Sequence, residues 1–176
     1  MNSSRPCAGS SFRLTQSWPS GVWKRTDTHC VSPERLDYDA EGPFGYRSAA
    51  VLEHGALFPF GFGLGYARTE ATVTSGTLPG GGLDLAITVV NPDGRDGVHV
   101  AQVYAQFGGE RAWELVGVRR IPVPAGGSAL AHVLVGPEQL RRWDDAAHAR
   151  VPVPGRHRIR VAKHAEDPGT GFVLDL

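Results

Sequence analysis

The chain has 176 residues, enough for one domain and part of a neighbour, and 41% of them are apolar, which excludes wholesale disorder. Its 18 basic and 18 acidic side chains cancel to a formal net charge of zero, so it carries no electrostatic footprint for nucleic acid or for an anionic membrane surface. The 23 glycines and 13 prolines recur between short apolar runs, punctuation that suits strands and turns rather than long helices.

Residues 1–40 are rich in Ser, Thr, Pro and charge, with isolated bulky groups at Phe12, Trp18 and Trp23. An irregular, partly disordered segment is expected there. Both cysteines, Cys7 and Cys30, fall in this stretch; free thiols in a reducing compartment are expected, with a single disulfide between them as the alternative. The opening Met1-Asn2-Ser3-Ser4-Arg5-Pro6 has no apolar h-region, and no apolar run approaches the roughly 20 residues that span a bilayer. A cytoplasmic location is therefore the default expectation, a secreted parent staying open.

Residues 41–68 differ in kind. Glycines at 42, 45, 55, 61, 63 and 65 are interleaved with Phe44, Tyr46, Phe58, Phe60, Phe62 and Tyr66. Glycine permits tight turns and close backbone approach while the aromatics supply large area for burial, so this linker is expected to pack onto something.

The strand signal begins at Thr69. Leu83, Leu85, Ile87 and Val89 alternate with Asp84, Ala86 and Thr88, the period of a half-buried strand. Asn91-Pro92-Asp93-Gly94 follows as a turn. Val98 to Phe107 is apolar on both faces, as a central strand would be. Leu115 to Val123, Ala129 to Val135 and Phe172 to Leu176 read as further strands, with one helical turn at Gly136 to Leu140. In His157, Ile159 and Val161, alternating with Arg156, Arg158 and Arg160, the period of two returns. Residues 69–176 are thus predicted to form an all-β, antiparallel sandwich of about seven strands, preceded by a mostly irregular extension. Leu85, Ile87, Val89, Val103, Val133, Ile159 and Val161 are its predicted core.

No residue pattern demands chemistry. Asp144-Asp145 is the most tempting carboxylate pair, but neighbours on a strand point to opposite faces and neighbours in a turn cap backbone amides. Trp143 beside it is expected as a core or edge anchor. The seven histidines are scattered without zinc-site spacing, and the row Arg156, Arg158, Arg160 is expected to be a solvated or cross-strand-paired face. Neither Gly80-Gly81-Gly82 nor Gly61 to Gly65 is followed by the Lys-Ser/Thr of a phosphate loop. No catalytic residue, cofactor or metal ligand is assigned.

The run Ala56-Leu57-Phe58-Pro59-Phe60-Gly61-Phe62-Gly63-Leu64-Gly65-Tyr66 resembles the PLFPFGxGLSYT signature of family-3 glycoside hydrolases, the β-glucosidase and β-xylosidase group, with Gly65 in place of Ser and Ala67 in place of Thr. Downstream, Ala101-Gln102-Val103-Tyr104 is similar to that family's VQLYV strand, Trp113 to Arg120 to KELKGFRRV, Leu140-Arg141-Arg142-Trp143-Asp144 to LAFWD, and Val153-Pro154-Gly155 to the PGxYxV turn. Upstream, Arg13 to Pro19 resembles GRLPxTWP and Tyr38 to Arg47 resembles YxEGxxVGYR.

The resemblance implies that residues 69–176 are the family's immunoglobulin/fibronectin-III-like domain, that 41–68 are the end of the preceding α/β domain, and that the domains bearing the nucleophile and acid/base lie outside this chain. A retaining glycosidase needs two carboxyl groups about 5–5.5 Å apart, and no residue here maps onto either role. The expected function is a non-catalytic accessory domain, a gene fragment or split-gene tail that packs on the catalytic domains of such a hydrolase; the alternative is a free-standing carbohydrate-binding module using Trp113, Tyr104 and Phe107. The candidates for domain packing are Phe58, Phe60, Phe62, Tyr66 and Trp143, with self-association through residues 57–66 as the other use of the same segment.

Overall fold

The computed structural model describes residues 13–19 and 43–176. Seven strands form the sandwich. One sheet has three antiparallel strands in the order β3 (Glu70–Thr77), β4 (Leu83–Val90), β7 (Ser128–Val135); the other has four, in the order β11 (Thr170–Asp175), β10 (Arg156–Ala162), β5 (Gly97–Gln106), β6 (Glu114–Val123). The alternation in β4 is realised: Leu83, Leu85, Ile87 and Val89 are buried, and in the register Leu85 faces Val133 and Ile87 faces Ala131. From the opposing sheet come Ala101, Val103, Ala105, Ile159 and Val161, and all seven predicted core residues are buried.

The turn after β4 shows its mechanism. Asn91 is fully buried; its side-chain nitrogen donates to the carbonyls of Arg95 (2.8 Å) and Pro124 (3.1 Å), and its oxygen accepts from the Asp93 amide (3.1 Å). One asparagine thus ties two loops at the same end of the sandwich, satisfying backbone groups that would otherwise be orphaned. The helical turn at Pro137–Leu140 is 3-10, and it places Leu140 in the core. It leads into a separate ribbon, β8 (Arg141–Asp144) paired with β9 (Ala149–Pro152).

The extension has more structure than the sequence predicts. A helix, α1 (Ala49–His54), is capped by Ser48, whose Oγ accepts from the Val51 amide at 3.4 Å, and ends at Gly55 with φ +71°. Six residues are too few to register a 3.6-residue period, so only the cap residues could have signalled it. Two short strands, β1 (Trp18–Pro19) and β2 (Ala56–Phe58), pair antiparallel. The upstream motif and the aromatic motif, remote in sequence, are therefore joined. Cys7, Cys30, Phe12 and Trp23 lie outside the described residues.

Candidate domain-docking face

Strand β5 is buried on both faces because two different things cover it. Ala101, Val103 and Ala105 point into the sandwich, while Val100, Gln102 and Tyr104 point away from it. Of that row, Gln102 and Tyr104 meet the glycine- and aromatic-rich extension. The Tyr46 ring stacks on Phe60 at 4.5 Å and meets Tyr104 edge-on at 6.2 Å, favourable quadrupolar arrangements. The Tyr46 hydroxyl accepts from the Leu115 amide at 2.9 Å. Burial raises the phenol pKa of Tyr46 and of Tyr104, so both stay neutral.

Gln102 is the clasp. It is 3% exposed; its Nε2 donates to the carbonyls of Gly61 (2.9 Å) and Lys163 (2.7 Å), and its Oε1 accepts from the Tyr104 hydroxyl (2.6 Å). Gly61 has φ +80°, and a Cβ there would lie 2.0 Å from Gln102 Oε1. Only glycine fits, on both counts. The neighbouring backbone is fixed from the other side: Gly61 N donates to Leu14 O and Leu14 N to Phe62 O, each at 2.8 Å, and Ala165 N donates to Phe60 O at 2.9 Å.

The arginine row on β10 divides. Arg156 and Arg158 are exposed, with Arg156 Nε 3.9 Å from Asp175 Oδ1. Arg160 corrects the expectation of a solvated face. It is 8% exposed, its guanidinium lies 4.2 Å over the Trp113 ring and 5.3 Å over Tyr104, and it donates to the Ala165 carbonyl. The planar guanidinium serves as an aromatic-packing group under the 163–167 turn.

The docking candidates separate into two kinds. Phe60 and Phe62 are half-buried, Phe62 lying 5.4 Å from Phe58 and 5.9 Å from His164. Phe58 and Tyr66 are exposed, Tyr66 by 75%. Beside them stand Leu57 and Leu64, exposed by 63% and 79%, which sequence reasoning missed because it weighed only the aromatics. Trp143 is at the edge and not in the core: it sits on β8, is 59% exposed, and its Nε1 donates to Asp145 Oδ1 at 2.8 Å.

The carboxylate pair does what turn residues do. Asp144 Oδ1 accepts from the Ala147 amide at 2.7 Å, and Asp145 holds the indole. The aromatics nominated for a free-standing carbohydrate module form no platform, since Tyr104 and Phe107 are buried and Trp113 lies under Arg160. His99 is 4% exposed, with Nδ1 3.0 Å from Thr69 Oγ1. Burial, then the positive charges of Lys163 and Arg13, lower its pKa to about 4, so it is neutral. Among the described residues no three His, Cys, Asp or Glu side chains cluster as a metal site, and no helix is long and apolar enough to cross a membrane.

Comparison with known proteins agrees with this geometry. Residues 99–165 match the fibronectin type III-like domain. A β-glucosidase of Rhizobium radiobacter is 32% identical over 171 residues, covering 88% of this chain and 20% of the relative. A xylan 1,4-β-xylosidase of Xylanibacter ruminicola is 32% identical over 137 residues, 72% of this chain and 15% of the relative. The structure of DesR, a β-glucosidase from Streptomyces venezuelae in complex with D-glucose, superposes with a TM-score of 0.78 at 25% identity, over 93% of this chain and 22% of that one. The chain thus spans about a fifth of the length of the curated relatives it matches. It carries the fibronectin type III-like domain of the family-3 glycoside hydrolases.

Proposed function

We propose that this chain is the non-catalytic accessory domain of a family-3 glycoside hydrolase and that it packs on the catalytic part through the exposed side chains of residues 57–66. The observation that carries this reading is the contrast within one short segment. Its backbone and its inward rings are fastened to the sandwich by Gln102, Tyr46 and Ala165, whereas Leu57, Phe58, Leu64 and Tyr66 are turned to solvent. A loop held that firmly, yet left with four large apolar groups uncovered, is built to present them. Its resemblance to the family's domain-junction signature supports the choice of that partner.

The test is association with a separately produced catalytic portion of a related family-3 β-glucosidase, such as the Rhizobium radiobacter relative without its own copy of this region. Calorimetry should detect binding, and Leu57→Ser with Tyr66→Ser should abolish it while thermal melting is unchanged. A chain that stays apart from the catalytic portion at high micromolar concentration refutes the proposal.

A further inference from the structure

We infer that the cleft beside the β8–β9 ribbon is a binding site for a carboxylated sugar, a uronate unit of a glycan, with Trp143 as the stacking platform and Arg150 as the carboxylate anchor. This inference stands apart from the docking reading, since it uses other residues and would survive that reading's failure.

The cleft is about 600 Å³ and lies between the ribbon and the start of β6. In the ribbon register Trp143 faces Arg150 directly and Arg141 faces Pro152, so Arg141, Trp143 and Arg150 share one face. The indole is pre-oriented by its 2.8 Å bond to Asp145. Its ring face is open: the ring is not stacked on another aromatic or under a cation among the described residues, in contrast to Trp113 beneath Arg160. A rigid, exposed indole with a free face suits the apolar face of a pyranose ring, and it reaches this state with little ordering left to occur on binding.

Charge decides which sugar. The cleft is lined by four arginines, at 47, 141, 142 and 150, against the carboxylates of Glu114 and Glu138. Three of the arginines are already committed: Arg47 pairs with Glu114, Arg142 with Glu110 and Glu114, and Arg141 with Glu138 at 2.8 Å. Arg150 has no carboxylate partner among the described residues, and it is the one opposite Trp143. A neutral sugar would leave that guanidinium without a counterion, whereas a uronate places its carboxylate there in the bidentate geometry that guanidinium favours. The density of charge also argues against a dry protein contact at this face, because the centres of protein interfaces are depleted of charged residues.

The experiment titrates the purified chain with tetragalacturonate and, in parallel, with cellotetraose, following Trp fluorescence and amide NMR shifts. Tetragalacturonate is expected to bind with shifts centred on β8 and β9, more tightly than cellotetraose, and to weaken as salt is raised. Arg150→Ala should weaken the acidic ligand by about fivefold, the scale of one exposed ion pair, and leave the neutral one unchanged. Trp143→Ala should abolish both. Trp143→Phe, which keeps an apolar ring in the ribbon, should retain weaker binding if the alanine variant disturbs the fold. Equal affinity for the two ligands, no binding of tetragalacturonate, or an Arg150→Ala variant that loses both ligands equally would each overturn the inference.

Discussion

The clasp at Gly61 and Gln102 allows a prediction with an internal control. Replacing Gly61 by alanine has two costs. A side chain at φ +80° is strained by about 1–2 kcal/mol. The new Cβ would also sit 2.0 Å from Gln102 Oε1 and 2.7 Å from Cδ, so the amide must move. It is 3% exposed and makes three hydrogen bonds, each worth about 1 kcal/mol net, with more lost where the Tyr104 hydroxyl is left buried without its acceptor. Displacement therefore costs about 2–4 kcal/mol, and the variant about 3–6 in all, against a typical domain stability of about 5–15 kcal/mol. Gly80 isolates the first term, because its φ is +84° but nothing lies within 4 Å of its Cβ position. Gly80→Ala should show the strain alone. In urea denaturation followed by Trp fluorescence, Gly61→Ala should lower the midpoint by about 1–2 M more than Gly80→Ala, for a slope near 2 kcal/mol/M. Equal midpoints for the two variants would show that Gln102 swings away freely and that the clasp is not a fixed element.

The pH dependence has a definite sign. The unfolded chain protonates His99 near its ordinary 6.5 whereas the folded chain holds off to about 4, so this contribution is whole above pH 6.5 and is lost as pH falls through that window, by about 3 kcal/mol in total. Urea midpoints measured from pH 7 to 4 should fall accordingly, and His99→Gln should flatten the decline; His164, also lowered by burial, acts in the same direction. Ile87→Ala, at a fully buried position between the sheets, should cost about 2–5 kcal/mol in the same assay, and a loss below 1 would mean the sandwich core can collapse around it. The purified chain should release no nitrophenol from an aryl β-glucoside above the buffer blank; turnover abolished by Asp144→Asn would overturn the accessory reading.

What the sequence made legible follows from where information repeats. The sandwich was readable because β4 and β10 alternate over seven or eight residues and β5 is apolar throughout, giving the period enough length to show. Helix α1 and the β1–β2 pair are too short for any period, and their existence depends on partners far along the chain. Arg160 was misread for a related reason. Its spacing places it on the outer face, and only tertiary structure reveals that Trp113 and the 163–167 turn cover that face there. The exposed half of the docking candidates was suggested by resemblance, but their division into anchored and presented rings rests on contacts to Tyr46 and Gln102 that no local pattern encodes.

The double burial of β5 also bears on where this domain physically begins. The recognisable fibronectin type III-like stretch covers residues 99–165, and the strand signal starts at Thr69. A protein cut just before Thr69 would keep all seven sandwich strands, yet it would strip cover from Tyr104 and Gln102. Laying bare one large aromatic alone forfeits about 1.5–3 kcal/mol, and the Gln102 amide would lose its Gly61 acceptor. A piece cut there is accordingly less stable than the intact chain, and the cover it loses reaches back through the motif that looks like a junction to Tyr46 and Leu14.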